Sequence, residues 1–228
     1  MSRRALAVLA AAIVGTPACS APAAGGEYAV FTPATSVHTS ATARTTDPHR
    51  MLTNLTIAPR GSKAGYTDKA FPHWSRQPAV GPGCDTREAV LRRDGRNVAT
   101  DKQCRPVTGT WTSSYDSETW TSPADVDIDH VVPRVHAWTT GAAAWTQDQR
   151  EAFANDLTRP ELIAVTDNLN QQKGDKAPDA WKPPAVSAWC DYANAWITVK
   201  HHYLLTVTSP EVAALNAMLS HCPTEAPR

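Results

Sequence analysis

The segment Asp127-Ile128-Asp129-His130-Val131-Val132-Pro133 is the part of this chain on which the assignment of its fold depends. Its apolar residues predict a short β-strand, and Pro133 ends it because proline cannot donate a hydrogen bond to a β-ladder. Asp127 and Asp129 lie two residues apart, so their carboxylates share one face of the strand. His130 adds the side chain whose ordinary pKa suits proton abstraction near neutral pH. The strand therefore carries acidic oxygens next to a candidate general base.

A second polar segment, residues 167–178, has the sequence Asp-Asn-Leu-Asn-Gln-Gln-Lys-Gly-Asp-Lys-Ala-Pro. Thr166 is placed to cap a helix at its start, and Gly174 is placed to end it. Hydrolysis of a phosphodiester needs a base that deprotonates water and a divalent cation that neutralises charge on the phosphate. Aspartate and asparagine supply the oxygen ligands that Mg²⁺ prefers. A strand ending in Asp-His beside a helix with Asn and Lys would bring these groups together.

The two segments together resemble the HNH motif of the His-Me finger, or ββα-metal, endonuclease superfamily. Residues 129–133, an Asp-His pair followed by two apolar residues and Pro, are similar to the first half of that motif. Asn170, with Lys173 three residues later and Pro178 eight residues later, is similar to the second half. The chain most closely resembles exported actinobacterial-type HNH endonuclease family proteins. The resemblance covers residues 52–222 and includes Gly83–Arg87, Asp127–Pro133, Ala152–Leu157, Val165–Asp175 and Trp189-Cys190.

This resemblance implies an α+β fold, a single domain built around a ββα-metal core with extra helices. It implies that His130 is the general base, and that Asp129 and Asn170 hold one divalent metal ion. We expect Mg²⁺, with Mn²⁺ or Zn²⁺ as alternatives. The implied substrate is nucleic acid, with DNA expected before RNA. Little sequence specificity is expected, since no element that would read bases is visible.

Four further residues are secondary candidates around this centre. Asn168 is the alternative to Asn170 as a metal ligand, or a residue that braces the loop. Lys173 is a candidate phosphate contact, and a solvated lysine at the helix end is the alternative. Arg87 could bind a phosphate with its planar guanidinium, or form a salt bridge with an acidic neighbour. Asp127 is expected to support the metal ligands from the same strand face.

The chain departs from the family pattern at one position. Many HNH sites have a central Asn that orients the catalytic His, and no residue here clearly matches it. Asn155 is close in sequence, but it falls in the preceding predicted helix. The group that orients His130 is therefore left open. His136 stands where a polar or acidic residue is expected, and we assign it no role.

Capping residues and periodicity predict more helix than strand. Leu52, Leu55 and Ile57 are expected to form a short packing arm. The predicted helices cover Asp85–Arg93, residues 146–156 with a capping box of Thr146 and Gln149, residues 166–174, residues 185–204, and residues 209–222. The predicted strands are Val107–Trp111, the stretch around Trp120, Asp127–Val132 and Leu162–Val165.

Cysteine usage points to export. The chain has five cysteines, and Cys19 lies in the N-terminal apolar region. The remaining four are expected to form two disulfides, for which three connectivities exist. We favour the local pairs Cys84–Cys104 and Cys190–Cys222, because each brackets one segment. A four-cysteine metal site is the alternative, and it is disfavoured because no Cys-x-x-Cys spacing occurs.

Residues 1–26 have the features of a signal peptide. Two arginines precede a short apolar run, Ala5–Val14, which is too short to span a bilayer in a mature protein. Cleavage near Ala21-Pro22-Ala23 would release a secreted protein. Lipidation of Cys19 would instead anchor the protein at the cell surface. Residues 27–50 are rich in Ala, Thr, Ser and Pro and predict a flexible tether, so the nuclease domain is assigned to residues 51–228.

Charge balance limits the function classes. Lys plus Arg and Asp plus Glu each number 22, so the formal net charge is zero. Tight storage-type DNA binding is disfavoured, because phosphate affinity usually needs a basic surface. Neutrality is compatible with an enzyme that must release its product, and we expect a monomer. The alternatives are a catalytically silent HNH-fold binding module and a disulfide-stapled envelope protein. The envelope alternative leaves the clustered Asp, His, Asn and Lys without a reason.

Overall fold

Seven α-helices and five short strands lie in the described part of the chain, residues 47–223 of the computed structural model. All of these residues belong to one compact unit. The α-helices are α1 (Pro48–Thr53), α2 (Thr86–Asp94), α3 (Arg134–Thr139), α4 (Gln147–Ala154), α5 (Asp167–Lys173), α6 (Trp189–His202) and α7 (Ser209–Leu219). The strands are β1 (Arg96–Thr100), β2 (Pro106–Thr112), β3 (Thr119–Trp120), β4 (Val126–His130) and β5 (Leu162–Thr166). The predicted single α+β domain is confirmed.

The strands form two separate antiparallel sheets. One has the order β1-β2-β3, and the other pairs β4 with β5. In the β4–β5 register, Asp129 lies opposite Ile163 and His130 lies opposite Leu162. Helix α5 follows β5 directly and packs against both strands. This β4–β5–α5 unit is the ββα arrangement that the resemblance implied, and it carries both polar segments.

Helix α5 begins and ends where the sequence predicted, but its start is held differently. Thr166 makes no side-chain capping bond to the helix. Its Oγ1 instead donates to Oδ2 of Asp116 at 2.8 Å and accepts from the indole N–H of Trp120 at 2.9 Å. These bonds tie the start of α5 to the three-stranded sheet. At the other end Gly174 has φ +50°, a left-handed conformation that glycine adopts without steric cost.

The β4–β5 sheet lies between two hydrophobic clusters. Ile128 and Leu162 belong to a smaller cluster that also contains Trp111. Val131 and Val165 belong to the larger cluster formed with α1, α6 and α7. Each large apolar side chain that is fully buried contributes about 1.5–3 kcal/mol to folding. Packing on both sides therefore gives the site-bearing strands a rigid support.

Three of the helices begin at capping boxes. Asp85 and Glu88 form a reciprocal capping box at the start of α2. Thr146 and Gln149 form the predicted capping box of α4. Helix α7 is capped by Thr208, one residue before the predicted start, with a capping box of its own. Each of these caps satisfies backbone N–H groups that would otherwise lack partners.

A buried charge cluster joins α3, α6 and α7. The Oε1 of Glu211 lies 2.8 Å from Lys200 Nζ and 3.1 Å from His136 Nε2. Its Oε2 accepts hydrogen bonds from the backbone N–H and the hydroxyl of Thr208, both at 3.0 Å, and lies 3.9 Å from Arg60 Nη2. Burial lowers the pKa of His136 to about 4, although the bond to Glu211 opposes this shift. His136, which received no role above, is thus part of the interior.

Both predicted disulfides are confirmed. Cys84 is bonded to Cys104 with a Cα–Cα distance of 5.0 Å, and Cys190 is bonded to Cys222 with a distance of 4.9 Å. The first links the start of α2 to the turn between β1 and β2. The second links the start of α6 to the residues after α7. Both restrict the unfolded chain and so stabilise the folded one.

Several boundaries differ from prediction. The first described helix, α1, begins at Pro48, three residues before the predicted domain start at residue 51, and Asp47 caps it. Strand β1 and helix α3 were not predicted, and α3 begins directly after Pro133. The predicted helix 185–204 is a 3-10 turn at Val186–Ala188 followed by α6. Of the predicted packing arm, Ile57 is 59% exposed and forms an isolated bridge with Val207.

The predicted signal peptide, Cys19 and most of the predicted tether lie outside the described residues. Within residues 47–223, no helix is long and apolar enough to cross a membrane.

Candidate active site

A cavity of about 290 Å³ lies where β4 ends beside α5. It gathers residues from both polar segments, as the strand–helix arrangement predicted. Its lining consists of Trp74, Asp127, Ile128, Asp129, His130, Pro133, Arg134, Asn170, Gly174 and Asp175. The lining is largely polar, and oxygen-bearing side chains predominate among its polar groups.

His130 is held by a backbone carbonyl. Its Nε2 lies 3.0 Å from the carbonyl oxygen of Ala154, at the end of α4. Because a carbonyl can only accept, Nε2 carries the proton and Nδ1 keeps its lone pair. Burial, reinforced by the nearby positive charge of Arg134, lowers the pKa of His130 to about 3. The imidazole is therefore neutral near neutral pH and able to accept a proton at Nδ1.

Asn155 stands next to this carbonyl and ties a neighbouring loop to it. Its Nδ2 donates to the carbonyl of Pro72 at 2.9 Å, and its Oδ1 accepts from the backbone N–H of Ser75 at 2.9 Å. The same Oδ1 accepts from the hydroxyl of Thr86 at 2.7 Å. Within the described residues, Asn155 thus makes no hydrogen bond to His130 itself. It fixes residues 72–75 against the end of α4.

Asp129 faces the buried side of the cavity. Its Oδ1 accepts from Lys173 Nζ at 2.8 Å, and its Oδ2 accepts from the hydroxyl of Tyr115. Burial raises the pKa of Asp129, Lys173 opposes that shift, and the negative charge of Asp127 adds to it. Each carboxylate oxygen can accept two hydrogen bonds or ligands, so Asp129 retains coordinating capacity.

Lys173 lies in a different place from the one predicted. Its side chain is wholly buried, and Nζ also donates to the backbone carbonyl of His130 at 2.9 Å. It is neither the expected phosphate contact nor a solvated lysine at the helix end. It joins the end of α5 to the two central residues of the motif.

The accessible carboxylate is that of Asp127. The Nδ2 of Asn170 donates to its Oδ2 at 3.0 Å, which brings the two predicted halves of the motif into direct contact. Among residues 47–223 no hydrogen bond reaches the other oxygen of either side chain. Asn168 is exposed on α5 and does not line the cavity, because two residues correspond to roughly 200° around a helix.

The donor set fits a hard divalent cation. Within the described part of the chain, no three His, Cys, Asp or Glu side chains are grouped to hold a metal ion. A cation in this cavity would therefore depend on the amide oxygen of Asn170 as well as on carboxylates. Asp127 and Asp129 supply two negative charges, of which Lys173 balances one. Oxygen ligands of this kind suit Mg²⁺ better than they suit softer metals.

Arg87 lies away from the cavity. Its Nη2 donates to the backbone carbonyls of Pro123 and Val126, each at 3.3 Å. It forms no ion pair with an acidic neighbour within the described residues. Arg87 therefore braces the chain as it enters β4, a role that differs from both alternatives considered above.

Two residues that line the cavity, Arg134 and Trp74, were not singled out from the sequence. The Nη1 of Arg134 lies 2.9 Å from Nδ1 of His73, and its Nη2 lies 3.6 Å from a carboxylate oxygen of Asp68. The Trp74 ring lies 5.8 Å from the His130 ring, with 32° between their planes. Arg134 follows Pro133 directly, so its position after the motif was an available signal. Nothing local marks Trp74, which reaches the site only through the tertiary fold.

Comparison with known proteins gives two similarities. The family model for the C-terminal domain of GmrSD restriction endonucleases matches residues 85–218, which include every cavity residue except Trp74. A protein of Arthroderma benhamiae (strain ATCC MYA-4681 / CBS 112371), described as an uncharacterized secreted protein, is 54% identical over 172 residues. That alignment covers 75% of this chain and 83% of the relative. No solved structure matches the chain.

Proposed function

Because the chain belongs to the family of GmrSD restriction endonuclease C-terminal domains, we propose that it is an exported, metal-dependent endonuclease of the HNH type. It hydrolyses phosphodiester bonds in DNA, and to a lesser extent in RNA, with little sequence specificity. The observation that carries this proposal is the fixed imidazole of His130. Its Nε2 is bonded to Ala154, and its Nδ1 remains for the cavity that Asp127 and Asn170 share.

His130 acts as the general base. Nδ1 takes a proton from the attacking water while the carbonyl of Ala154 keeps the ring in one orientation. The imidazole starts neutral because burial lowers its pKa. An anionic phosphate in the cavity favours the protonated ring, so its basicity increases when substrate is bound.

The metal site is formed by Asp129 and Asn170, with Asp127 as an additional oxygen donor. A divalent cation, Mg²⁺ by preference, would supply the positive charge that stabilises the scissile phosphate and the departing 3′-oxygen. Cleavage then leaves a 5′-phosphate. Lys173 contributes by positioning: it holds the carboxylate of Asp129 and the carbonyl of His130 in one arrangement.

Export is supported by two independent features. The relative from Arthroderma benhamiae carries the description of a secreted protein. Both disulfides are of the kind that persists in oxidising compartments. We propose that residues 1–26 are removed as a signal peptide, and that the mature protein is a secreted monomer. Lipidation of Cys19 is the alternative ending of the same export route.

The experiment is cleavage of supercoiled plasmid by the oxidised, secreted protein with Mg²⁺, Mn²⁺ or Zn²⁺, and with EDTA. We expect metal-dependent nicking that His130→Ala lacks. The matched control is His49→Ala, which changes an exposed histidine on α1 and is expected to leave nicking intact. If the folded wild-type protein cuts neither DNA nor RNA with any of these metals, the proposal fails. The silent binding module on the same fold then takes its place.

A further inference from the structure

Trp74 has an unusual backbone conformation beside the site. Its φ is +60°, a region that bulky residues rarely occupy and that costs free energy. The hydrogen bonds of Asn155 to Pro72 and Ser75 hold the chain on both sides of it. Ser75 is held further by Glu151, whose carboxylate accepts from its hydroxyl at 2.5 Å, and by Thr86, whose N–H donates to its carbonyl at 3.0 Å. The surrounding structure therefore maintains the strained conformation.

This conformation places the indole at the cavity. Trp74 lines it on the side of His130. A tryptophan ring that is only partly buried offers a flat apolar face, and every nucleobase can stack on such a face.

Arg134 lines the same cavity. Among the described residues that line this cavity, only Arg134 carries a fixed positive charge. Its side chain is 21% exposed, and its acidic neighbour Asp68 is 77% exposed and 3.6 Å away. The Arg134–Asp68 ion pair is long and exposed to solvent, so it is weak, and the guanidinium is able to bind an anion. A phosphate suits the planar geometry of the guanidinium. Arg134 thus provides the phosphate contact that Lys173 and Arg87 do not.

We propose that Trp74 and Arg134 form a nucleotide subsite that selects unpaired nucleic acid. The base next to the scissile bond stacks on Trp74, and a phosphate of the same strand binds Arg134. This inference rests on the proposed nuclease function and names its substrate class. A cavity of about 290 Å³ accommodates one nucleotide-sized group. A base can reach Trp74 only if it unstacks from the adjacent bases and, in a duplex, also breaks its base pair. The free-energy cost is therefore high in a duplex and low in a single strand.

The first test compares cleavage of single-stranded and duplex oligonucleotides of one sequence. We expect the wild-type protein to cleave the single strand with a kcat/KM about 10-fold higher or more. Trp74→Gly removes the ring while keeping a residue that accepts positive φ, so the loop is expected to remain folded. This variant should lose about 10-fold on the single strand and little on the duplex, and Trp74→Phe should retain most of the preference.

The second test measures binding without cleavage. Fluorescence anisotropy with a labelled single strand compares His130→Ala with His130→Ala/Arg134→Gln at several salt concentrations. We expect weaker binding and a salt dependence that is shallower by about 0.7, the value for one phosphate contact on a single strand. Arg50→Gln, which changes an exposed residue of α1, is the matched control in the same background.

Three results overturn the inference. The first is equal cleavage of the single strand and the duplex by the wild-type protein. The second is a folded Trp74→Gly variant that keeps the wild-type preference for the single strand. The third is a salt dependence of binding that does not change in the Arg134→Gln variant. A wild-type protein that cleaves nothing refutes the proposed function instead. In that case the binding measurement still decides whether Arg134 binds a phosphate of the single strand.

Discussion

Lys173 Nζ lies 2.8 Å from Oδ1 of Asp129 in an ion pair that is almost fully shielded from solvent. The two residues are 44 positions apart, so this pair joins the end of α5 to β4. A buried pair of this kind adds little net stability, but removal of one partner leaves an uncompensated charge. Substitution of Lys173 is therefore expected to lower the stability of the folded protein, whatever its effect on activity.

Lys173→Met is expected to lower the free energy of unfolding by about 3–5 kcal/mol. The reason is the unpaired carboxylate of Asp129, so Lys173→Met/Asp129→Asn should recover part of the loss. Urea denaturation measures both. Lys176→Met, at an exposed lysine three residues along, should change stability by less than about 0.5 kcal/mol. A folded Lys173→Met protein of wild-type stability would contradict the role given to the pair.

Asn170→Ala is expected to weaken Mn²⁺ binding by about 10-fold or more, because the amide oxygen is one of few donors in the cavity. Isothermal titration calorimetry with Mn²⁺ alone measures this without substrate. Asn168→Ala is the matched control, since that side chain is exposed on the same helix and lies outside the cavity. Equal losses from the two variants would remove Asn170 from the metal site.

Asp127→Asn and Asp129→Asn should separate metal binding from folding. Asp127 is the more accessible carboxylate, so its substitution should weaken Mn²⁺ binding with little loss of stability. Asp129→Asn leaves Lys173 Nζ buried without a counter-charge, so it should reduce both properties. Calorimetry and urea denaturation on the same samples test the pair. The distinction fails if Asp127→Asn is as unstable as Asp129→Asn.

Asn155→Ala should loosen residues 72–75. The substitution removes bonds to Pro72, Ser75 and Thr86, at a cost of about 1–3 kcal/mol for the groups left unpaired. Hydrogen exchange at the Ser75 amide should accelerate, and kcat should fall with little change in Mn²⁺ affinity. Asn216→Ala, at an exposed position on α7, serves as the control. Unchanged exchange at Ser75 would show that other contacts hold the loop.

Stability should fall in mild acid because burial keeps His136 neutral in the folded protein, and the buried His130 acts in the same direction. Burial lowers its pKa from 6.5 to about 4 in the folded protein. Between these values the unfolded chain binds a proton that the folded chain does not. The stabilisation is therefore complete above pH 6.5 and is lost as the pH falls toward 4, at about 1.4 kcal/mol per unit. Glu211, Lys200 and Arg60 face this imidazole and set its environment.

Urea denaturation between pH 7 and pH 4.5 measures this dependence. Glu211 adds a further loss only below about pH 4.5, because His136 and Lys200 outweigh burial and hold its pKa below the usual range. His136→Gln removes the proton-binding group, so the variant should show a flatter curve than the wild-type protein. Parallel curves would exclude His136 as the source of the acid sensitivity.

The parts of the fold that the sequence predicted depend on neighbouring residues. The capping box of Thr146 and Gln149 needs only two residues three apart, and its helix was placed correctly. The paired strands β4 and β5 were likewise found from short apolar runs that end at polar residues. The local disulfide pairs followed because each closes a short loop.

The parts that were missed depend on distant contacts. The sequence around Lys173 is compatible both with a lysine that faces solvent and with one that faces Asp129. Only the packing of α5 on β4 buries the side chain against Asp129. Trp74 lies 56 residues before His130 and meets it through the anchoring of residues 72–75. Helix α3 was not predicted because Pro133 also marks the end of a strand, although proline suits the start of a helix equally well.

The carbonyl that orients His130 has a consequence for how this site can vary. An acceptor that belongs to the main chain is present with any amino acid small enough for the buried position 154. Alanine scanning would therefore identify His130 but would not detect the backbone carbonyl of residue 154, which orients the ring. An amide-to-ester exchange between residues 154 and 155, which weakens that carbonyl, would reveal it. The backbone at the end of α4 sets the orientation of the His130 ring. Side-chain substitutions therefore leave this orientation unchanged as long as α4 ends at the same residue.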